Sequence, residues 1–99
     1  MSEESIASNF FSGTGTKTFV FPIVCNELVI VNDGYATLTF AAGDKFTPSR
    51  FALPLSPGDA FDERIEAFDR VTVTATGDYH GYIRRSPNEY RWSSEYLYK

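Results

Sequence analysis

The residues able to carry chemistry are few, and they stand far apart. The chain holds one histidine, His80, and one cysteine, Cys25. A Cys–His nucleophile needs the two side chains in contact and a third group to orient the base. Nothing in the spacing supplies that. Cys25 lies in the apolar run "FPIVCNELVIV" beside Asn26 and Glu27. A thiol is activated by a positive or basic neighbour, and these offer the opposite. It reads as a small buried hydrophobe. A single histidine and a single cysteine also exclude an intrachain disulfide and a His- or Cys-built metal cage. Acids crowd into "DAFDERIEAFD", with Asp59, Asp62, Glu63, Glu66 and Asp69 interleaved with Arg64 and followed by Arg70. This run fits no calcium-loop spacing and no facing pair of glycosidase carboxylates. It reads as a solvated charged face, with weak calcium binding as the alternative. "SGTGT" at 12–16 has phosphate-loop glycines, but lacks the Gly-Lys-Ser/Thr that opens a helix. It reads as a plain loop. The expectation is therefore no catalytic residue, no metal ligand and no cofactor site.

The elements that would position these residues are short and extended. "TKTFVF" (16–21) is a strand closed by Pro22, and "ELVIVN" (27–32) is apolar on both faces and so central. Asp33-Gly34 predicts a type I′ hairpin into "YATLTFA" (35–41), where Ala36, Leu38 and Phe40 share one face. "FTPSRFALPL" (46–55) is barred from the middle of a sheet by Pro48 and Pro54 and reads as an edge strand or a loop. Pro57-Gly58 is a turn. "FDERIEAF" (61–68) is ambiguous, because Phe61, Ile65 and Phe68 have helical spacing. "VTVTATG" alternates cleanly, and Gly77-Asp78 predicts a second hairpin into "DYHGYIRR". Period two on that last strand sets His80 on the opposite face from Tyr79, Gly81 and Ile83, so that if Ile83 faces the core, His80 and Tyr82 face solvent or a partner. About seven short strands at this spacing predict an all-β fold, a small antiparallel jelly-roll-like β-sandwich. The expected divisions are a flexible N-terminal arm (1–11), the sandwich (12–86) and an aromatic tail (87–99).

Ninety-nine residues make one domain. With 22% charged residues the chain is too apolar for a disordered solvating segment, and nine Phe and six Tyr let rings dominate the core. Thirteen acids against nine bases give a net charge of −4, without the basic surplus that nucleic-acid binding uses. "MSEESIASNFF" develops no apolar signal region, and no stretch approaches a membrane span. The expectation is a protein made in a cytoplasm, with no nucleic-acid or membrane partner. The tail "SPNEYRWSSEYLYK" places Tyr90, Trp92, Tyr96 and Tyr98 after the strand-ending Pro87. Disordered segments are poor in rings, so this one is expected to dock. Tyr and Trp are favoured at interfaces for their area and polar tip. The predicted partner-binding residues are Tyr90, Trp92, Tyr96 and Tyr98, with Tyr82 and Arg84 from the last strand.

The apolar "ELVIVNDG", the hydrophobic–Thr strand after it, the "PGDAFDE" turn and the closing "VTVTATGDYHGYIR" carry a resemblance. Over residues 12–85 the chain resembles small β-rich structural proteins of tailed bacteriophages and prophages. The resemblance implies a virion component made in the host cytoplasm: a capsid decoration, neck, tail or baseplate protein. Its partners would be other virion proteins or further copies of itself, as a homo-oligomer. The resemblance transfers no catalytic residue. The alternative, from the exposed rings, is a carbohydrate-binding module that recognises host-surface glycans.

Overall fold

A computed structural model describes residues 2–6 and 8–85. Among these the chain is all strand and turn, without a helix. The strands are β1 (Ser2–Ser5), β2 (Phe10–Thr14), β3 (Lys17–Asn32), β4 (Leu38–Gly43), β5 (Phe51–Leu55), β6 (Ala60–Thr74) and β7 (Asp78–Arg84). They form one sheet in the order β2-β7-β3-β6-β4-β5. All pairings are antiparallel except that β1 runs parallel to β3, level with Lys17–Val20. The all-β, largely antiparallel expectation is met. Residues 2–5, read from sequence as part of an arm, are β1, held also by Lys17 Nζ to Glu4 at 3.0 Å.

Two long strands organise the sheet. β3 and β6 pair from Lys17↔Val73 to Val20↔Arg70, then at Cys25↔Phe68, then from Glu27↔Arg64 to Val31↔Ala60. Between the first two stretches, residues 21–24 of β3 stand against Asp69 alone. Between the next two, Asn26 stands against residues 65–67. Each strand therefore bulges once, and bulges bend and twist the strand that holds them. Pro22 does not end the strand as expected. It lies in the β3 bulge, where a missing N–H breaks no regular ladder. The ambiguous 61–68 segment is strand as well. Phe61 and Ile65 have one parity and Phe68 the other, and the bulge at 65–67 carries the switch of face. What looked like helical spacing was a strand changing parity.

The bend folds the sheet over its own core. β2 lies two strands from β3, about 10 Å away in a flat sheet. Yet the Phe11 ring meets Phe19 at 4.9 Å and Phe21 at 5.9 Å between centroids. On the other side of the bend Phe40 of β4 meets Phe61 at 5.0 Å, and Phe51 of β5 meets it at 5.4 Å. Leu28, Ile30, Leu38, Phe68, Val71, Val73, Tyr79 and Ile83 belong to the same buried cluster. Each large side chain so buried stabilises the fold by roughly 1.5–3 kcal/mol.

Both predicted hairpins are corrected. β4 does not return along β3 after Asp33-Gly34; it pairs with β6 and β5. Positive φ belongs to Gly15 and Gly58, not to Gly34. β7 does not fold back on β6 after Gly77-Asp78; it crosses to the far edge of β3 and pairs there and with β2. The cause is shared. The apolar second half of β3 is flanked on both edges, by β6 and by β7, so β4 has no place beside it. The turn chemistry near Gly34 serves Asn32 instead. That buried side chain accepts the Gly34 N–H at 2.9 Å and donates to the carbonyls of Ala36 and Leu55, each at 2.9 Å.

Candidate functional site

β7 alternates as its sequence predicts. Tyr79, Gly81 and Ile83 are buried, His80 and Tyr82 half-buried, and Arg84 exposed. The register extends the outward face across neighbouring strands. Phe10 of β2, Tyr82 and Val29 of β3 form one row; Ser12, His80 and Val31 form the next; Arg84 and Glu27 close it. Phe10 and Phe11 point to opposite faces because successive strand residues must. Phe11 enters the core over Gly81, where a Cβ would stand 2.7 Å from its ring and 2.2 Å from the Val29 carbonyl oxygen. Only glycine fits beneath that ring. Phe10 is left outward and 54% exposed, although it is a large apolar side chain.

Charge and aromatic contacts tie this face together. Arg84 Nε donates to Glu27 Oε1 at 2.8 Å, which raises the guanidinium pKa further, and the guanidinium carbon lies 5.4 Å from the Tyr82 ring centroid. Glu27 also faces Arg64 at 3.8 Å. His80 Nδ1 lies 2.6 Å from Asp33 Oδ2, and its ring stacks on Phe10 at 6.2 Å. These exposed ion pairs add little stability. Their effect is to hold aromatic side chains and charge-paired groups in one arrangement on paired strands. Such a surface can bury rings and offer polar groups to a partner.

The groups that could have made a nucleophile are not brought together. Cys25 is buried in the core, level with Phe68, while His80 sits outward, level with Val31. Burial pushes the Cys25 thiol up to about 11, the Arg85 charge opposes this, and Asp69 adds to it. The acids of 59–69 lie along an extended strand and not around a centre. Glu66 faces Arg50 at 3.9 Å and Asp69 faces Arg70 at 3.4 Å. Among the described residues no three His, Cys, Asp or Glu side chains converge to hold a metal ion.

Of the predicted partner-binding residues, Tyr82 and Arg84 are adjacent on this face. Tyr90, Trp92, Tyr96 and Tyr98 lie outside the described residues. Sequence reasoning missed Phe10 and Asp33. Phe10 was readable as half of a "FF" pair in a strand, where one ring must face out. Asp33 was taken for turn chemistry, and its partner His80 is 47 positions away. Also missed was Phe46, 84% exposed at the 44–50 loop. Asp44 fixes that loop by accepting the N–H groups of Thr47 at 2.7 Å and Phe46 at 2.8 Å, and it binds Arg50 at 3.2 Å. Those bonds, the Thr47 amide foremost, lower the Asp44 pKa. No protein-family model, curated protein or solved structure matches the chain.

Proposed function

We propose that the chain is a non-enzymatic structural component of a bacteriophage particle, acting through protein–protein contacts as a homo-oligomer or on a repeating surface of other virion proteins. The observation that carries this reading is the outward face of β2-β7-β3. Phe10, His80, Tyr82 and Arg84 stand there on paired strands as an aromatic surface edged by the Arg84–Glu27 and His80–Asp33 pairs. Interfaces are enriched in aromatic residues and Arg relative to the rest of a protein surface. The buried, protonated Cys25 and its separation from His80 support the non-enzymatic part. The virion part rests on the resemblance over residues 12–85. The tail residues Tyr90, Trp92, Tyr96 and Tyr98 belong to the same contact role.

A second reading is favoured by one row of that face. Phe10 and Tyr82 are direct cross-strand neighbours, a spacing on which the apolar side of a sugar can stack. This would be a carbohydrate-binding surface for host glycans. Tyr82→Ala and Arg84→Ala test the two together. Loss of incorporation into particles, with the melting temperature unchanged, supports the assembly reading. Retained incorporation with loss of binding to a glycan array supports the second.

A further inference from the structure

The bonds of the 44–50 loop hold Phe46 out in water. Asp44 accepts the N–H groups of Phe46 and Thr47 and binds the Arg50 guanidinium, and its own N–H donates to the Thr47 carbonyl at 3.0 Å. Gly43, at the foot of the loop, leaves no room for a Cβ against the Thr47 carbonyl and Pro48. Arg50 also faces Glu66 of β6 at 3.9 Å, which ties the loop to the sheet. At the tip Phe46 is 84% exposed, the most exposed large apolar side chain among the described residues. Lone exposed apolar residues are ordinary. A ring held out by a loop with this many internal bonds is a preorganised contact, and rigid aromatic anchors of that kind dominate interfaces. Lys45 Nζ lies 5.2 Å from the ring centroid and gives the tip a positive charge.

The same chain carries a receptor for such a tip. An apolar groove of about 310 Å³ opens where β1 ends beside the β3 bulge, lined by Ser5, Ile6, Val20, Phe21 and Pro22. That is near the lower end of volumes that bind ligands, enough for one ring. Glu3 and Glu4 of β1 stand beside it and are more exposed than Arg70 and Lys17, the bases they pair with. The rim is therefore negative where the loop tip is positive, and complementary charge orients an encounter and fixes its register. Strand pairing sets the two features apart. Ser5, Val20, Arg70 and Gly43 lie on one row across β1, β3, β6 and β4. That row spans three strand spacings, about 14 Å. Groove and loop stand at its opposite ends, with two paired strands between them, so a molecule does not fill its own groove.

We infer that copies of this chain associate head to tail, with Phe46 of one copy seated in this groove of the next and Lys45 beside its Glu3 and Glu4. Such a contact is heterologous. Each copy keeps a free tip or a free groove, and addition continues until a ring closes or a filament grows. The inference rests on the homo-oligomer part of the proposed function, not on its virion part, and uses a different surface from the outward face of β2-β7-β3.

Analytical sedimentation of the purified full chain tests it. At tens of micromolar the unmodified chain should form species larger than a dimer that dissociate on dilution. Phe46→Asp removes the tip and Pro22→Lys blocks the groove. Both positions are exposed, and circular dichroism checks that the strands persist. Each variant alone should be monomeric, because each lacks one half of the contact. Mixed in equal amounts they should form a one-to-one heterodimer and stop there, since only the tip of the Pro22→Lys chain and the groove of the Phe46→Asp chain can meet. An unmodified chain that stays monomeric overturns the inference, and so does a mixture of folded variants that stays monomeric. Assembly kept with Phe46→Asp but lost with Tyr82→Ala also overturns it, by assigning self-association to the β2-β7-β3 face and leaving the proposed function standing.

Discussion

Asn32 is 2% exposed, and its side chain meets three backbone groups. Its backbone adds two more bonds, to the Asp59 carbonyl at 3.0 Å and from the Gly58 N–H at 2.9 Å. One residue thus ties the end of β3 to the 33–37 loop, the end of β5 and the 56–59 turn. Replacing its amide nitrogen with oxygen turns two donors into an acceptor aimed at carbonyls. Asn32→Asp should cost about 3 kcal/mol or more at neutral pH, since each unsatisfied buried group costs about 1–3 kcal/mol. The new carboxyl is disfavoured when charged, so its folded pKa lies above the unfolded value. Stability is then regained on acidification and lost as pH rises, which denaturant titration at pH 4 and pH 7 can read. A pH-independent loss would refute this account of the side chain. Two native groups follow the same sign at the alkaline end. Burial raises Cys25 from 9.0 to about 11, and burial plus the Glu4 charge raises Tyr79 from 10.0 to about 12. Tyr79 is further held by its hydroxyl, which donates to the Gly15 carbonyl at 2.7 Å. Both favour the neutral folded form. The contribution of these two groups should be level below pH 9 and fall as pH climbs through 9–12, each giving a slope of up to about 1.4 kcal/mol per pH unit. Cys25→Ala should delay the onset toward pH 10.

The local patterns of single elements were readable; the pairing between elements was not. The alternation of β7 told which of Tyr79, His80, Gly81, Tyr82 and Ile83 face inward, because strand geometry enforces period two whatever lies alongside. The same run could not say that β7 pairs with β3 and β2, since turn residues such as Gly77-Asp78 permit a hairpin without requiring one. Asp33-Gly34 failed for the same reason. The apolar faces on both sides of "ELVIVN" did signal a central strand, and a central strand needs two neighbours. The bulges were hidden because a parity switch looks like helical spacing when read at Phe61, Ile65 and Phe68. At the site, Tyr82 and Arg84 were readable from alternation, whereas Phe10 and Asp33 reach them only through tertiary pairing. The element-level claim is that Gly81 is where β2 closes onto β7 under the Phe11 ring. Gly81→Ala should destabilise the chain by about 1–3 kcal/mol, the usual cost of overpacking, measured by thermal or denaturant melting. Gly81→Ala combined with Phe11→Leu should recover little of the loss, because the Val29 carbonyl oxygen, 2.2 Å from the added Cβ, stays in place. Full recovery would mean that the Phe11 ring and not the Val29 backbone sets the requirement.

As a whole molecule, this is a ring-filled sheet bent over itself, with its distinctive chemistry turned outward. The core uses its aromatic side chains for packing: Phe11, Phe19, Phe21, Phe40, Phe68 and Tyr79 are all buried. Among the other described aromatic residues, Phe51 and Phe61 pack partly buried against that core, while Phe10 on β2, Tyr82 on β7, Phe46 in the 44–50 loop and Tyr35 in the 33–37 loop face outward. A rigid module with exposed rings and a net charge of −4 suits docking on a larger surface by shape and aromatic contact. Truncation to Tyr82→Ala should weaken such a contact by about 1–2 kcal/mol or more while leaving the melting temperature nearly unchanged, because the ring is outward and Ile83 and Tyr79 still fill the core. The most direct test of the proposed role is quantitative mass spectrometry of virus particles purified from a lysate of the cells that make this chain. The proposed role predicts the chain in many copies per particle, at a fixed ratio to the major capsid or tail protein and retained through density-gradient purification. Its absence from washed particles, with the chain found only in the lysate, would contradict it.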